Sequence, residues 1–438
     1  MITAREAALK VLERCRHDGA WSGQVLDQLL SSGELSARDS ALAARLSLSV
    51  LQNDRYLDHC IDHYCSASRL EPKIRDLLRL GACQILLLDK IPDHAAVDES
   101  VALCKAMGAQ RASGLVNAVL RRLSENRAQL PEIPGKGSAA YLALRYSQPD
   151  WLAERLVGQR GYDFTEAFFA ACLQPADTAL QINTLKTGAD AFAEALTAKG
   201  IFYEVPPFPP HAVSLSGGRI SELPGYEEGL FYVQDRAAAM AVEIAQPLPG
   251  MQVLDACAAP GGKSFACAIR MRDQGSILSC DLHEKKLARI ERGAQRLGIR
   301  CIRTAAMDAG AFDPALAGRF DLVIADVPCS GFGVMRKKPE IRRKSAAEAD
   351  GLPAVQDRIL RNLSAYVKPG GTLLYATCTV LREENEDVVS RVLQERPDFH
   401  PLDFTVGERR SQRGCYTFWP HIDHSDGFFA AKLRRDRE

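Results

Sequence analysis

The sequence lacks several features that would fix its class at once. In 438 residues no uncharged apolar run approaches the ~20 residues a membrane helix needs, so no membrane partner is expected. The 13 cysteines are odd in number and never form a C-x-x-C pair. That argues against a disulfide framework and a paired-cysteine zinc site, and no metal is expected. The formal net charge is +0, so the chain as a whole does not announce a polyanionic partner. The opening MITAREAALKVLERC is charged and helical in period, unlike a secretion signal. These absences point to a reducing cytoplasm, where most thiols are small core residues. Hydrophobic residues make up 46% and charged residues 25%, enough for several cores in about three domains.

Two nucleotide signatures are missing where they would be sought. DACAAPGGKS at 255–264 ends like a phosphate-binding loop, but the triphosphate pattern requires a glycine five residues before Gly262, and Cys257 stands there. The dinucleotide pattern G-x-G-x-x-G is absent as well. Another ligand must follow this strand.

The pattern along the chain changes twice. Residues 1–130 read as helices, with Thr3 and Glu6 forming a capping box and Ser36 and Asp39 a second start of the same kind. PEIPGKGS at 131–138 reads as a linker. TALQINTL, FYEVPPF and LFYVQD read as strands among helices, which suits a small α+β module. From about 236 short apolar runs (MQVLDA, SILSCD, DLVIADV, GTLLYAT) alternate with helical segments, the pattern of a parallel sheet covered on both faces.

Ligands of such sheets sit at the carboxyl ends of the strands, and those ends carry carboxylates. Asp255 precedes the Gly261-Gly262 turn. Asp281 lies 19 residues beyond Gly262, close to the ~20-residue offset at which a carboxylate grips ribose hydroxyls. Asp308, in TAAMDAG, is placed to take an adenine amine, and Asp326 ends DLVIAD. Four carboxylates on one rim repel a triphosphate but suit a ligand with a positive centre and a ribose. S-adenosylmethionine has both.

Cys329 follows Asp326 in PCSG, and Cys378 follows GTLLYAT. If the two strands are neighbours, ~4.8 Å apart, both sulfurs reach one small substrate. A thiol beside a methyl donor suits methylation at pyrimidine carbon 5. That carbon is a poor nucleophile until a thiolate adds to carbon 6 and makes the ring an enamine. Spacing alone does not say which cysteine attacks.

DACAAPGGKS, DVPCSG and YATCT resemble three motifs of the RNA cytosine-C5 methyltransferases of the Fmu/Sun/NOL family. IPDHAAVDESVALCKA and GLVNAVLRRL resemble the NusB-like helical domain of the branch acting on 16S ribosomal RNA. YSQPDWLAERL and LQINTLK resemble its small middle module, and HSDGFFAAKL its carboxyl terminus. The resemblance implies a Rossmann-like S-adenosylmethionine-dependent methyltransferase domain (236–438). It would be preceded by an all-α NusB-like RNA-binding domain (1–135) and a small RRM-like α+β module (140–235). It implies that Cys257, Ala258, Ala259, Pro260, Gly261, Gly262 and Lys263, with Asp281, Asp308 and Asp326, bind the cofactor. Cys378 would be the nucleophile and Cys329 would assist release of the methylated base, while Asp326 would also hydrogen-bond the cytosine ring. The substrate would be 16S ribosomal RNA, free or within an assembling small subunit, and the enzyme a monomer. Two departures stand out: TCT at 377–379 replaces the usual TCS, a change expected to be harmless, and Phe332 replaces a small hydroxyl residue.

The densest basic run, RKKPEIRRK at 336–344, offers Arg336, Lys337, Lys338, Arg342, Arg343 and Lys344 as RNA phosphate contacts. The plainer reading is a solvated loop. Two other functions compete: a cytosine methyltransferase acting on transfer RNA or another ribosomal site, and a non-catalytic ribosomal RNA assembly factor. The second is disfavoured because both cysteines and the glycine turn are present.

Overall fold

A computed structural model describes the chain except residues 1, 32, 34, 68, 218 and 438. Among the described residues no helix is long and apolar enough to cross a membrane. The chain forms two compact units, one of Met1–Gln174 with Met335–Ala346 and one of Pro175–Val334 with Ala347–Glu438. This layout is not a series of consecutive ranges, because the helical unit takes in a short segment from far along the chain.

The helical unit starts at the expected capping box: Thr3 Oγ1 accepts from the Glu6 amide, and Glu6 returns a carboxylate to the Thr3 amide at 2.7 Å. Ser36 caps the long helix Ala37–Tyr64 in the same way. Apolar faces at helical spacing, with Leu12, Leu46, Leu57, Leu77, Val116 and Leu120 fully buried, make one core. The segment 335–346 is fixed into this unit. Glu340 accepts from the Ser22 amide at 2.8 Å, Gln52 donates to the Arg336 carbonyl at 3.0 Å, and the Trp151 indole donates to the Lys344 carbonyl at 3.1 Å.

The basic run therefore needs correcting at one residue. Arg342 is 6% exposed and its guanidinium donates to the carbonyls of Met335 (2.8 Å) and Cys172 (3.1 Å), so it tethers backbone instead of meeting phosphate. Arg343 lies 3.8 Å from the Asp54 carboxylate, and Lys338 lies over the Trp21 ring.

Among the described residues all the strands lie in the second unit. β1 (Thr178–Ile182), β2 (Ala212–Leu215) and β3 (Phe231–Val233) form a small antiparallel sheet, with Phe192, Phe231 and Leu180 in its core. FYEVPPF does not become a strand; only Glu204 bridges, to Ser214. Pro206, Pro207, Pro209 and Pro210 bring no amide hydrogens to a ladder.

The main sheet contains β4 (Gln252–Asp255), β5 (Ser276–Asp281), β6 (Ile302–Ala306), β7 (Phe320–Asp326) and β8 (Val367–Thr377), all parallel. Beyond β9 (Phe399–Pro401) and a two-residue hairpin of β10 (Thr405–Val406) and β11 (Arg409–Arg410) come β12 (Cys415–Phe418) and β13 (Phe428–Arg435). The order is β12-β13-β8-β7-β4-β5-β6, with β13 antiparallel to β8 and β9 on β13. Alternate residues serve opposite cores. Val253, Leu322, Ile324 and Leu374 pack with helices 236–245, 262–270 and 284–297, while Leu254, Val323, Leu373 and Tyr375 pack with helices 352–364 and 386–395. Near-continuous apolar strands are the consequence of burial on both faces.

Candidate active site

From β4 the chain winds outward to β5 and β6, then returns to place β7 on the other side of β4 and β8 beyond it. At this reversal the loops diverge and leave a crevice. A cleft of ≈ 390 Å³ opens there, lined by Cys257, Asp281, Asp308, Asp326, Val355 and Ile359 among others. That is within the roughly 300–1,000 Å³ typical of small-molecule sites.

The turn after β4 brings backbone close to the cleft. Gly261 has φ +110°, and a Cβ there would meet the Phe265 ring at 2.6 Å, so only glycine fits. Helix 262–270 begins immediately after it. Below the turn Asp255 is fully buried. Its Oδ2 accepts from Ser264 Oγ at 2.6 Å, its Oδ1 has no partner among the described residues, and burial pushes its carboxyl up to about 6. Asp255 thus supports the turn from within and does not line the cleft.

Asp281 and Asp308 do line it, and each spends one oxygen on its own turn. Asp281 Oδ1 accepts from the His283 amide at 2.9 Å with Lys286 Nζ 3.4 Å away, and Asp308 Oδ1 accepts from the Gly310 amide at 2.8 Å. The second oxygen of each has no partner among the described residues. Asp326 is different: Lys263 Nζ donates to its Oδ2 at 2.6 Å. Burial opposes the lysine's charge, but Asp326 outweighs it and raises the ammonium above its ordinary value.

Sheet register brings the two cysteines together. Asp326 pairs with Ala376, so the loops leaving β7 and β8 start side by side. Cys329 Sγ lies 3.1 Å from Cys378 Sγ and accepts from the Cys378 amide at 3.3 Å. The Gly333 amide donates to the Cys378 carbonyl at 3.0 Å, and a Cβ on Gly333 would sit 1.9 Å from the Gly427 carbonyl oxygen. Hydrogen bonding to Cys378, then burial, raises the Cys329 thiol well above its ordinary value, so it holds its proton at neutral pH. Phe332 is fully buried.

Behind the cysteines lies a polar cluster that spacing did not reveal. Glu384, 1% exposed, accepts from the Ser330 amide (2.9 Å), from Ser330 Oγ, and from Gln356 Nε2 (2.8 Å). Thr379 Oγ1 lies 2.8 Å from Ser330 Oγ, so the hydroxyl shared by serine and threonine is what position 379 contributes to this cluster. The only signal in the sequence is a carboxylate six residues after Cys378, within a run of charged side chains.

Comparison with known proteins follows these divisions. Residues 242–434 match the model of the 16S rRNA methyltransferase RsmB/F family, residues 2–125 that of the NusB family, and residues 148–220 that of the RsmF/B-like ferredoxin-like domain. The chain is 33% identical to the probable ribosomal RNA small subunit methyltransferase B of Bacillus subtilis (strain 168), over 99% of both chains. The crystal structure of PH0851 superposes with a TM-score of 0.83 at 24% identity, covering 99% of each chain. That of a methyltransferase homologue from Pyrococcus horikoshii gives a TM-score of 0.60 at 25% identity, over 67% of this chain and 97% of the other.

Proposed function

The chain belongs to the 16S rRNA methyltransferase RsmB/F family, and on that premise we propose that it methylates carbon 5 of a cytosine in small-subunit ribosomal RNA, using S-adenosylmethionine and a covalent cysteine–cytosine intermediate. The carrying observation is the pair of thiols 3.1 Å apart, Cys329 following directly on Pro328, which lines the acidic cleft. The three-part division into residues 1–135, 140–235 and 236–438 is kept within this reading, as is action by a monomer.

The cleft residues fit the cofactor. The spare oxygens of Asp281 and Asp308 are acceptors, suited to ribose hydroxyls and an exocyclic amine, and Val355 and Ile359 supply apolar wall for a base. The amides opening helix 262–270, behind Gly261, can meet a carboxylate. When bound, S-adenosylmethionine supplies an electrophilic methyl group beside a positive sulfur.

In the reaction, the target base is extruded from its stack into the site. Cys378 Sγ attacks carbon 6 as thiolate, stabilised by the Cys329 S–H at 3.1 Å. Asp326, held by Lys263, faces the ring and supports protonation as the enamine forms. Carbon 5 then gains the methyl group. Water takes the carbon-5 proton and the Cys378–carbon 6 bond breaks, restoring the aromatic ring, while the Cys329 S–H stabilises the departing Cys378 thiolate.

The test uses purified protein with methyl-labelled S-adenosylmethionine and ribosomal RNA, assembling small subunits or transfer RNA. Label recovered as 5-methylcytidine in small-subunit RNA is the expected result. Label in transfer RNA alone would replace the substrate. Cofactor binding without any methyl transfer would favour an assembly factor.

A further inference from the structure

We propose that Glu384 is a positioning residue for Cys329, its buried carboxylate fixing the Pro328–Cys329–Ser330 turn in the geometry that release of the product base requires. The proposal rests on the reading of the two cysteines given above.

Glu384 holds the turn from both sides of the cysteine. After Cys329, Glu384 takes the Ser330 amide on Oε2 at 2.9 Å and the Ser330 hydroxyl on Oε1. Before it, Gln356 Nε2 joins Glu384 Oε2 (2.8 Å) to the Pro328 carbonyl (3.0 Å). The Thr379 hydroxyl extends the chain through Ser330, so the residue after Cys378 leans on the same carboxylate. Glu384 is itself anchored, because Tyr375 OH, on β8, donates to its carbonyl at 2.6 Å. Four separate contacts thus meet on one side chain and its backbone.

Energetics supports a role beyond stability. Glu384 is 1% exposed and has no cation within ion-pairing distance among the described residues. Burying a carboxylate is costly even with neutral donors around it, a cost that the hydrogen bonds offset only in part. The carboxylate supplies direction instead: two oxygens that converge four acceptor sites on one turn. Its charge also adds to the Cys378 hydrogen bond and burial in keeping the Cys329 thiol protonated.

The experiment uses full-length Glu384→Gln, which keeps the shape but turns one acceptor into a donor facing donors. Cofactor and RNA affinities should stay within about twofold, and adduct formation should stay near wild type. Decay of the protein–RNA adduct should slow about tenfold to a hundredfold, as expected for a reacting group displaced by a fraction of an ångström. A second readout needs no catalysis. Diamide, a two-electron thiol oxidant, joins Cys329 to Cys378; the two thiols lose their protons and electrons, and the diazene becomes a hydrazine. Formation of that disulfide, followed by peptide mass mapping, should slow about tenfold in Glu384→Gln, misplacement of Cys329 outweighing the easier loss of its proton once the neighbouring charge is gone. Wild-type rates in both readouts would overturn the proposal. If Glu384→Gln does not fold, Ser330→Ala takes its place. It removes the hydroxyl that Glu384 and Thr379 share but keeps the Ser330 amide, and should slow both readouts several-fold, and wild-type rates there would equally overturn the proposal. Wild-type protein that pairs its thiols in a Glu384-dependent way yet forms no RNA adduct would sink the catalytic reading and leave this one standing.

Discussion

Cys329 Sγ lies 3.1 Å from Cys378 Sγ while accepting a hydrogen bond from the Cys378 amide, so each thiol is positioned by the residue that carries the other. Their proposed roles predict different failures. Cys378→Ala should form no covalent link to RNA and transfer no methyl group. Cys329→Ala should attack and methylate, then stall, so that a protein–RNA adduct survives denaturing electrophoresis. The reverse pattern would show that the roles are swapped.

Asp281 lines the cleft, and one of its oxygens has no partner among the described residues. Asp281→Ala should weaken S-adenosylmethionine binding by about 1–3 kcal/mol, the cost of leaving polar ribose groups without an acceptor. Calorimetry showing unchanged affinity would remove Asp281 from the cofactor site.

Lys263 and Asp326 form a pair in which the lysine side chain is only 10% exposed. Asp326→Ala strands that ammonium and should destabilise the protein by about 3–5 kcal/mol. The double variant Lys263→Met/Asp326→Leu should recover most of that stability and transfer no methyl group. Thermal denaturation beside an activity assay separates the two effects; an Asp326→Ala protein that melts like wild type would contradict the first.

Asp255 makes stability depend on pH. Its folded value, about 6, lies above the ordinary 3.8. A raised carboxyl contributes stability below the unfolded value and loses it as pH rises through the folded one. Between pH 4 and pH 7 the wild type should therefore lose up to about 3 kcal/mol relative to Asp255→Asn. Denaturant titrations of both proteins at the two pH values measure the difference; parallel curves would refute it.

Arg342 should behave as a structural residue. Arg342→Ala removes the guanidinium's hydrogen bonds to the Met335 and Cys172 carbonyls and should lower the melting temperature, while the salt dependence of RNA binding stays the same. A flattened salt slope in folded Arg342→Ala would return it to the RNA contacts.

Much of the fold was legible because apolar runs buried on both faces and glycine turns leave local signals. The run from MQVLDA to GTLLYAT gave four of the five parallel strands and the carboxylates at their ends. FYEVPPF misled because aromatic and β-branched residues suggest a strand, while the prolines that prevent one remove the hydrogen bonds themselves. Arg342 misled because a basic run reads as surface charge, and nothing local shows that one of its members is buried against carbonyls contributed in part from residue 172. Glu384 could not be read at all. Its partners, Ser330 and Gln356, lie 54 and 28 residues away and meet it only through the sheet.

The helical unit is completed by residues that the ribosome makes late. Its first 174 residues are joined by 335–346, whose last residue is 172 positions further along (346 − 174). At about 5–20 residues per second, the amide of Ser22 and the indole of Trp151 wait roughly 10–30 s after residue 174 is made for their partners to be synthesised. During that interval the nascent helices lack Arg342, Glu340 and the turn that carries them. The unit named first by the gene is thus finished only once β4 through β7 have been translated, so neither half of the chain reaches its final form before the other exists.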